Sequence, residues 1–367
     1  MNKKNITIIA TGGTIAGRGS LGKSANYEAG TFDVEEIVKS IPQIRDLANL
    51  NTIQLYNVDS NDMGLDKWIE LRKICHELEK DRYVDGIVIT HGTDTLEETA
   101  FFLNLTLACH KPVVLTGSMR PATATSADGP MNLYQAVALA CHMEAWQAGV
   151  LAVISDTIYS GRDLQKTNSY KTDAFKMGEF GSLGYMRDDH VYLLNAPFKK
   201  HTFQTIFSKM EFDDLPKVEI FYVHTDSDPE LLKFMLGMYD GLVLAGTGSG
   251  NYPTKIKDVL ENYKGECTVV RASRVLEGAV FDSDVFDSKK VTIPAYKFSA
   301  QKARILLICS YLFCQPASKL HPAAFYSCRS HLFAQNFKIR TLLMCVKVFS
   351  INIQACIFAE LPLLPQA

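Results

Sequence analysis

The chain has 367 residues, 47% of them hydrophobic and 21% charged, with a formal net charge of -2. That length predicts two domains rather than one. So even a charge balance gives no electrostatic basis for nucleic acid or an anionic membrane as partner, and it favours a small molecule. Nine cysteines without CxxC pairs, and without histidines at zinc spacing, fit free thiols better than a disulfide scaffold or a metal centre.

In chain order, Met1 to Asn5 passes straight into an apolar strand, without the apolar stretch and small-residue cleavage site of a signal peptide, so the expected compartment is cytoplasmic. Strand-like runs at 6–11, 52–58, 86–90, 112–116 and 149–155 alternate with helical periodicity at 65–78, 96–109 and 131–146. In the first of these helices the apolar residues fall at 65, 68, 69, 71, 74 and 78. Such alternation predicts a parallel α/β sheet. Residues 195–216, with Pro197, Lys199, Lys200, His201, Asp213, Asp214 and Pro216, are polar and irregular and read as a linker. A second alternation comes after it, with strands near 218–224, 241–245 and 267–272 and helices near 229–239 and 255–263. The expected organisation is a domain over 1–194, the linker over 195–216, a smaller α/β domain over 217–307, and a tail over 308–367.

From Ile308 to Ala367 the composition changes in kind. This stretch holds one acidic residue, Glu360, no glycine, and five of the nine cysteines (309, 314, 328, 345 and 356). A membrane span over 341–365 is interrupted by Lys347, Asn352, Gln354 and Glu360, so no anchor is expected.

Two threonine-bearing turns carry the chemistry. Thr11-Gly12-Gly13-Thr14 comes after the first strand and His91-Gly92-Thr93-Asp94-Thr95 after the third, and each reads as strand, tight turn, then helix. A parallel sheet gathers its strand ends on one edge, where ligands bind. A threonine hydroxyl is a weak nucleophile and needs a proton acceptor and donors for the developing oxyanion. Glycines beside it let backbone approach a ligand, and Asp94 adds a carboxylate able to bind an ammonium. A single TGGT turn also reads as a glycine turn capping a helix, and either threonine is open as the attacking hydroxyl.

The run Ile8 to Gly17, the run Asp85 to Ala100, Gly117-Ser118-Met119-Arg120-Pro121 and Ser126-Ala127-Asp128-Gly129-Pro130 together resemble bacterial L-asparaginases, most closely the type II asparaginase/glutaminase branch. The likeness spans about residues 5 to 307. It implies a larger N-terminal parallel-sheet domain of flavodoxin-like, doubly wound type with a smaller C-terminal α/β domain. The implied reaction converts L-asparagine and water to L-aspartate and ammonia, with some activity on L-glutamine and no cofactor or metal. Thr14 matches the attacking threonine. Tyr27 matches a proton-transferring tyrosine in a Gly, Ser and Asn-rich segment, 19–30, that suits a lid; by itself it reads as a surface loop aromatic. Thr93, Asp94 and Lys166 match a second constellation, in which a lysine beside Thr93 eases deprotonation of that hydroxyl or of an attacking water. Outside the motif, Lys166 is a solvated lysine.

Ser60 and Asn61, in Asp59-Ser60-Asn61-Asp62-Met63, match the substrate-binding loop, with asparagine at 61 where many relatives carry glutamine. Ser60 and Asp62 also read as plain turn or cap residues. Ser118 stands where relatives often have alanine, whose backbone carbonyl receives the substrate amide. The resemblance further implies a homotetramer of intimate dimers, each cleft completed by a partner's C-terminal domain. Asn251 matches one such residue, and Asp284 is the nearest acidic counterpart of the other, usually glutamate. Type II relatives are usually exported, which makes the periplasm the alternative compartment. The tail after Leu307 departs from the family and reads as a shifted coding frame. Two other functional classes are an ammonia-supplying amidotransferase subunit and an inactive protein of this fold with a damaged C-terminus.

Overall fold

The computed structural model describes residues 3–24, 27–28, 30–283 and 286–314. The expectations for Asp284 and for the tail beyond residue 314 lie outside these residues. The chain divides into two compact units: one holds residues up to Met210 with Val275–Gly278, the other Glu211–Arg274 and the chain from Ala279 on.

In the first unit the strands of one sheet are β1 (Lys4–Gly12), β2 (Ala48–Val58), β3 (Gly86–Thr90), β4 (Val113–Thr116), β5 (Val150–Ile154), β6 (Thr157–Ser160), β7 (Gly184–Arg187) and β8 (His190–Leu193). Their spatial order is β8-β7-β6-β5-β4-β3-β1-β2. The five from β5 to β2 pair in parallel, and β6, β7 and β8 extend the sheet antiparallel. The parallel part therefore has the flavodoxin-like order 2-1-3-4-5, in which the order of winding reverses between β1 and β3. Strands β3 (GIVIT) and β5 (VLAVI) are buried at every residue, as continuous apolar runs covered on both faces require. The edge strand β2 has mixed burial instead.

Helices α1 (Val34–Lys39), α2 (Ile44–Leu47), α3 (Leu65–Lys80), α4 (Leu96–Thr106) and α5 (Gly129–Cys141) connect these strands. Helix α4 stops at Thr106 rather than running to 109, because Leu107 turns extended and closes the helix on Leu103 O. Helix α5 starts at Gly129 with Pro130 in its first turn and stops at Cys141, short of 146, before a three-residue 3₁₀ turn. The hairpins of β6 to β8 were absent from the sequence expectations, since each strand is only four residues long and the outer two, GYMR and HVYL, alternate burial without an apolar run.

Within 195–216, the stretch expected to be linker, residues 201–210 are built into the first unit. His201, Thr202, Phe207, Ser208 and Met210 are buried, and Arg72 Nη2 donates to Ser208 O (3.2 Å) and Met210 O (3.1 Å). The polar residues that suggest a linker are interleaved with apolar ones that find a core.

The second unit is a four-stranded parallel sheet in chain order, β9 (Val218–Tyr222), β10 (Gly241–Gly246), β11 (Thr268–Ser273) and β12 (Ile293–Pro294), with α6 (Pro229–Met238), α7 (Thr254–Asn262) and α8 (Ala300–Cys314). Phe221, Leu232, Leu236, Leu242, Leu244, Ile256 and Leu260 form its core. Helix α8 continues past Leu307, burying Ile308, Cys309 and Leu312. It packs so closely that a Cβ on Gly241 would lie 2.7 Å from Leu307 Cδ2. The compositional break at 308 thus falls inside a packed helix, because Ile308, Cys309 and Leu312 are apolar residues on its inward face.

Candidate active site

The two threonine turns leave adjacent strands of the first unit, where β1 and β3 run in register from Ile6 opposite Gly86 to Ala10 opposite Thr90. Their backbones touch. A Cβ on Gly13 would fall 2.3 Å from Gly92 Cα, and one on Gly92 would fall 2.7 Å from Ser60 Cβ. A Cβ on Gly117 would meet His91 O at 2.4 Å. Only glycine permits this approach, and it draws the loops after β1, β2, β3 and β4 into one cluster at the sheet edge. Thr11 Oγ1 ties the same two turns by donating to Thr90 O at 2.9 Å.

The two turns lead into different elements. Thr93 leads into the long buried α4, as expected. Thr14 does not lead into an α-helix: it opens a three-residue 3₁₀ turn, Thr14–Ala16, and α1 starts only at Val34. The glycine-rich segment after Ala16 favours turns over helix. Residues 30–32 return to hold the Thr14 turn, with Gly30 N donating to Gly13 O and Thr31 N to Ala16 O. Thr14 and Thr93 are both buried.

Lys166 reaches the second turn from a two-residue ladder, Gln165–Lys166 paired antiparallel with Phe175–Lys176. Its Nζ donates to Thr93 Oγ1 at 2.9 Å and to Asp94 Oδ1 at 2.6 Å. Asp94 is exposed while the lysine side chain is largely covered, so the pair fixes the ammonium's position more than it adds stability. Glu97, buried on α4, accepts the backbone N–H of Lys166 at 2.6 Å.

Two residues before Thr93, His91 is wholly buried. Its Nδ1 lies 2.7 Å from Gly92 O and its Nε2 2.9 Å from Thr99 Oγ1, which also accepts from Trp68 Nε1 at 2.7 Å. A carbonyl only accepts, so Nδ1 carries the proton and Thr99 donates to Nε2. Burial lowers the His91 pKa to about 4, keeping the ring neutral.

Ser60 is buried in a short 3₁₀ turn, Ser60–Asp62, and its carbonyl accepts from Thr95 Oγ1 at 2.6 Å. Asn61 turns its amide onto Asp59, with Nδ2 2.8 Å from Asp59 Oδ1. Ser118 is fully buried and its Oγ donates to Arg120 O. That turn is held by Asp128, a residue to which the sequence alone assigns no role: its carboxylate accepts Met119 N and Arg120 N at 2.9 Å each. Asn132 adds a bond to Gly117 O. An aspartate just before Gly129-Pro130 signals a helix cap, yet its side chain caps no helix amide. Like Glu97, it was legible as a motif residue without a partner.

Tyr27 begins the two-residue strand Tyr27–Glu28, paired with Arg18–Gly19, and its side chain lies outside the described residues. The first unit thus gathers Thr14, Thr93, Asp94, Lys166, Ser60, Asn61 and Ser118 along one edge. Asn251 belongs to the second unit, in a turn closed by reciprocal backbone bonds with Thr247 (2.7 and 2.9 Å). Asp284 is outside the described residues. Among the described residues, no group of three or more His, Cys, Asp or Glu is placed to hold a metal ion.

Two family models match the chain: "Asparaginase, N-terminal" over residues 5–199 and "Glutaminase/Asparaginase C-terminal domain" over residues 217–312. The chain is 44% identical over 307 residues to L-asparaginase 2 of Escherichia coli strain K12, covering 83% of this chain and 87% of that protein. It is 42% identical over 306 residues to a probable periplasmic L-asparaginase of Haemophilus influenzae, covering 83% and 87%. A solved structure of a probable cytoplasmic L-asparaginase from Campylobacter jejuni superposes with a TM-score of 0.80 at 44% identity, covering 84% of this chain and 95% of that one. With its threonine turns joined at the β1/β3 switch point and both halves matched along their length, the chain belongs to the bacterial type II asparaginase family.

Proposed function

We propose that the protein hydrolyses L-asparagine to L-aspartate and ammonia, with some activity on L-glutamine, through an acyl-enzyme on Thr14. In the first step Thr14 Oγ1 bonds to the side-chain amide carbon, its proton passing by way of Tyr27. The C–N bond then breaks and nitrogen leaves, protonated, as ammonia. Water attacks the resulting ester carbon, restoring the Thr14 hydroxyl and releasing the carboxylate. Thr93 Oγ1, in proton-transfer reach of Lys166 Nζ, serves the proton movements, and Asp94 holds that lysine and receives the substrate ammonium.

The observation that carries this reading is the Thr93-Lys166-Asp94 triad, at 2.9 and 2.6 Å, on a turn pressed against the Thr14 turn. Ser60, Asn61 and the Ser118 backbone bind the rest of the substrate from the same chain. Asn251 and Asp284 act from a partner subunit within a homotetramer of intimate dimers. The domain division proposed is an N-terminal catalytic domain running to about residue 210 and a C-terminal domain after it. A cytoplasmic location is supported by the naming of the Campylobacter jejuni protein and by the free cysteines among the described residues. Periplasmic naming of the Haemophilus influenzae protein supports the alternative.

The test is ammonia release from asparagine and from glutamine by the wild type and by Thr14→Ala, with mass in solution measured alongside. Full activity in Thr14→Ala rules out the assigned nucleophile. A monomer with full activity rules out the partner contribution.

A further inference from the structure

We propose that Arg271 is a positioning residue that sets the Asn251 turn and the 281–283 segment as one rigid element for substrate binding. The proposal rests on the reading of Asn251 as a substrate-contacting residue supplied to a partner's cleft.

Arg271 lies on the inner strand β11, yet it is only 1% exposed. A guanidinium is out of place in such a core unless its donors are used in fixed directions. Here they are. Nη1 donates to Ser249 O at 3.0 Å, Nη2 to Phe281 O at 2.7 Å, and Nε reaches Thr292 Oγ1 at 3.4 Å. Ser249 is two residues before Asn251, and Phe281 opens the segment that leads to position 284. One planar fork therefore fixes the separation of two loops that share no backbone ladder with each other.

Packing repeats the constraint. Gly250, at φ +84°, lies so close that its Cβ would stand 3.1 Å from Arg271 Cγ and 3.0 Å from Val280 Cγ1. The stem of Arg271 is thus the floor of the Asn251 turn. Thr292 passes the link on: its Oγ1 donates to the buried Asp287 (2.6 Å), which also accepts Thr292 N and Val291 N at 2.8 Å each, while Asp287 N donates to Ser283 O at 3.0 Å. The carboxylate of Asp287 balances the buried guanidinium through the threonine hydroxyl. The Arg271-Thr292-Asp287 chain consequently holds Phe281 and Ser283 by their carbonyls.

A plain core arginine that merely holds the second unit together is the competing role, and the two differ in what fails. Arg271→Lys keeps the charge and the stem but cannot bridge two carbonyls with one planar group. The positioning role gives a rise in KM for asparagine of about tenfold with kcat nearly unchanged, since a charged hydrogen bond to each loop is lost. Asn251→Ala gives a similar rise, and the double variant is no worse than the larger single effect, because both act through one contact. Hydrogen exchange in Arg271→Lys rises in 247–252 and 279–283 and stays unchanged in β9 and β10. Thr292→Val gives the same pattern more weakly, Thr292→Ser restores it, and this pair carries the test if Arg271→Lys does not fold.

Multiplicative kinetic effects, exchange raised throughout the second unit, or exchange unchanged in the two loops each overturn the proposal. Absence of amidase activity in the wild type instead overturns the proposed function, and the exchange measurement still decides the clamp.

Discussion

The two threonine turns share one sequence plan and receive different support. Thr93 sits on a scaffold: a long buried helix succeeds it, the neutral His91 two residues before it is bonded to that helix at Thr99, and Lys166, held by Asp94, donates to its hydroxyl. Thr14 sits on a three-residue 3₁₀ turn held by returning backbone at residues 30–32 and by contact with Gly92. The proposed mechanism uses that difference: the hydroxyl assigned to proton transfer is the one Lys166 holds at 2.9 Å, and the hydroxyl assigned to attack is the one on the short turn.

The sharpest way to break this comparison is to remove each hydroxyl. Thr14→Ala is expected to lower kcat by roughly ten-thousand-fold or more, as loss of a nucleophile does, with substrate still bound. Ammonia release and equilibrium binding measured on the same preparation check both halves of that statement. Lys166→Met is expected to cost about a hundredfold to ten-thousand-fold in kcat, the range for a misplaced acid-base group. If Lys166→Met matched the wild type, the scaffolded turn would have no part in proton transfer.

Contact between the turns is tested by Gly13→Ala. The new Cβ would overlap Gly92 backbone at 2.3 Å on a residue at φ +81°, so a stability loss of about 3 kcal/mol or more is expected in denaturant unfolding. A smaller effect comes from pH. The folded-state pKa of His91 is lowered from 6.5 to about 4, so its contribution is fully present above 6.5 and is lost as pH falls from there through 4. His91→Gln should flatten that part of the stability profile measured by thermal unfolding. The mildest change is Ser118→Ala, whose hydroxyl faces Arg120 O: activity should stay within about threefold and stability fall by about 1 kcal/mol.

Much of the first unit was legible because parallel strands buried on both faces are continuous apolar runs with turn residues at their ends, as in Ile6 to Ala10 and Gly86 to Thr90. The outer hairpins β6 to β8 were not, since strands of four residues with alternating burial carry little signal above turns. Lys166 illustrates the limit for the site. It lies 73 residues from Thr93, and only its motif marked it; periodicity and composition made it a solvated lysine. Asp128 and Glu97 were visible as letters of a motif, but their partners, the amides of 119, 120 and 166, belong to other elements.

By itself the sequence determined the class of fold, the pair of threonine turns and the family, because strand periodicity, glycine spacing and motif identity are local properties of the chain. Tertiary structure alone decided that Gly13 and Gly92 touch, that Lys166 reaches Thr93, that His91 is neutral and that Arg271 bridges two loops. Each of these depends on packing between separate elements, and burial, hydrogen-bond geometry and steric exclusion act only once those elements have been brought together.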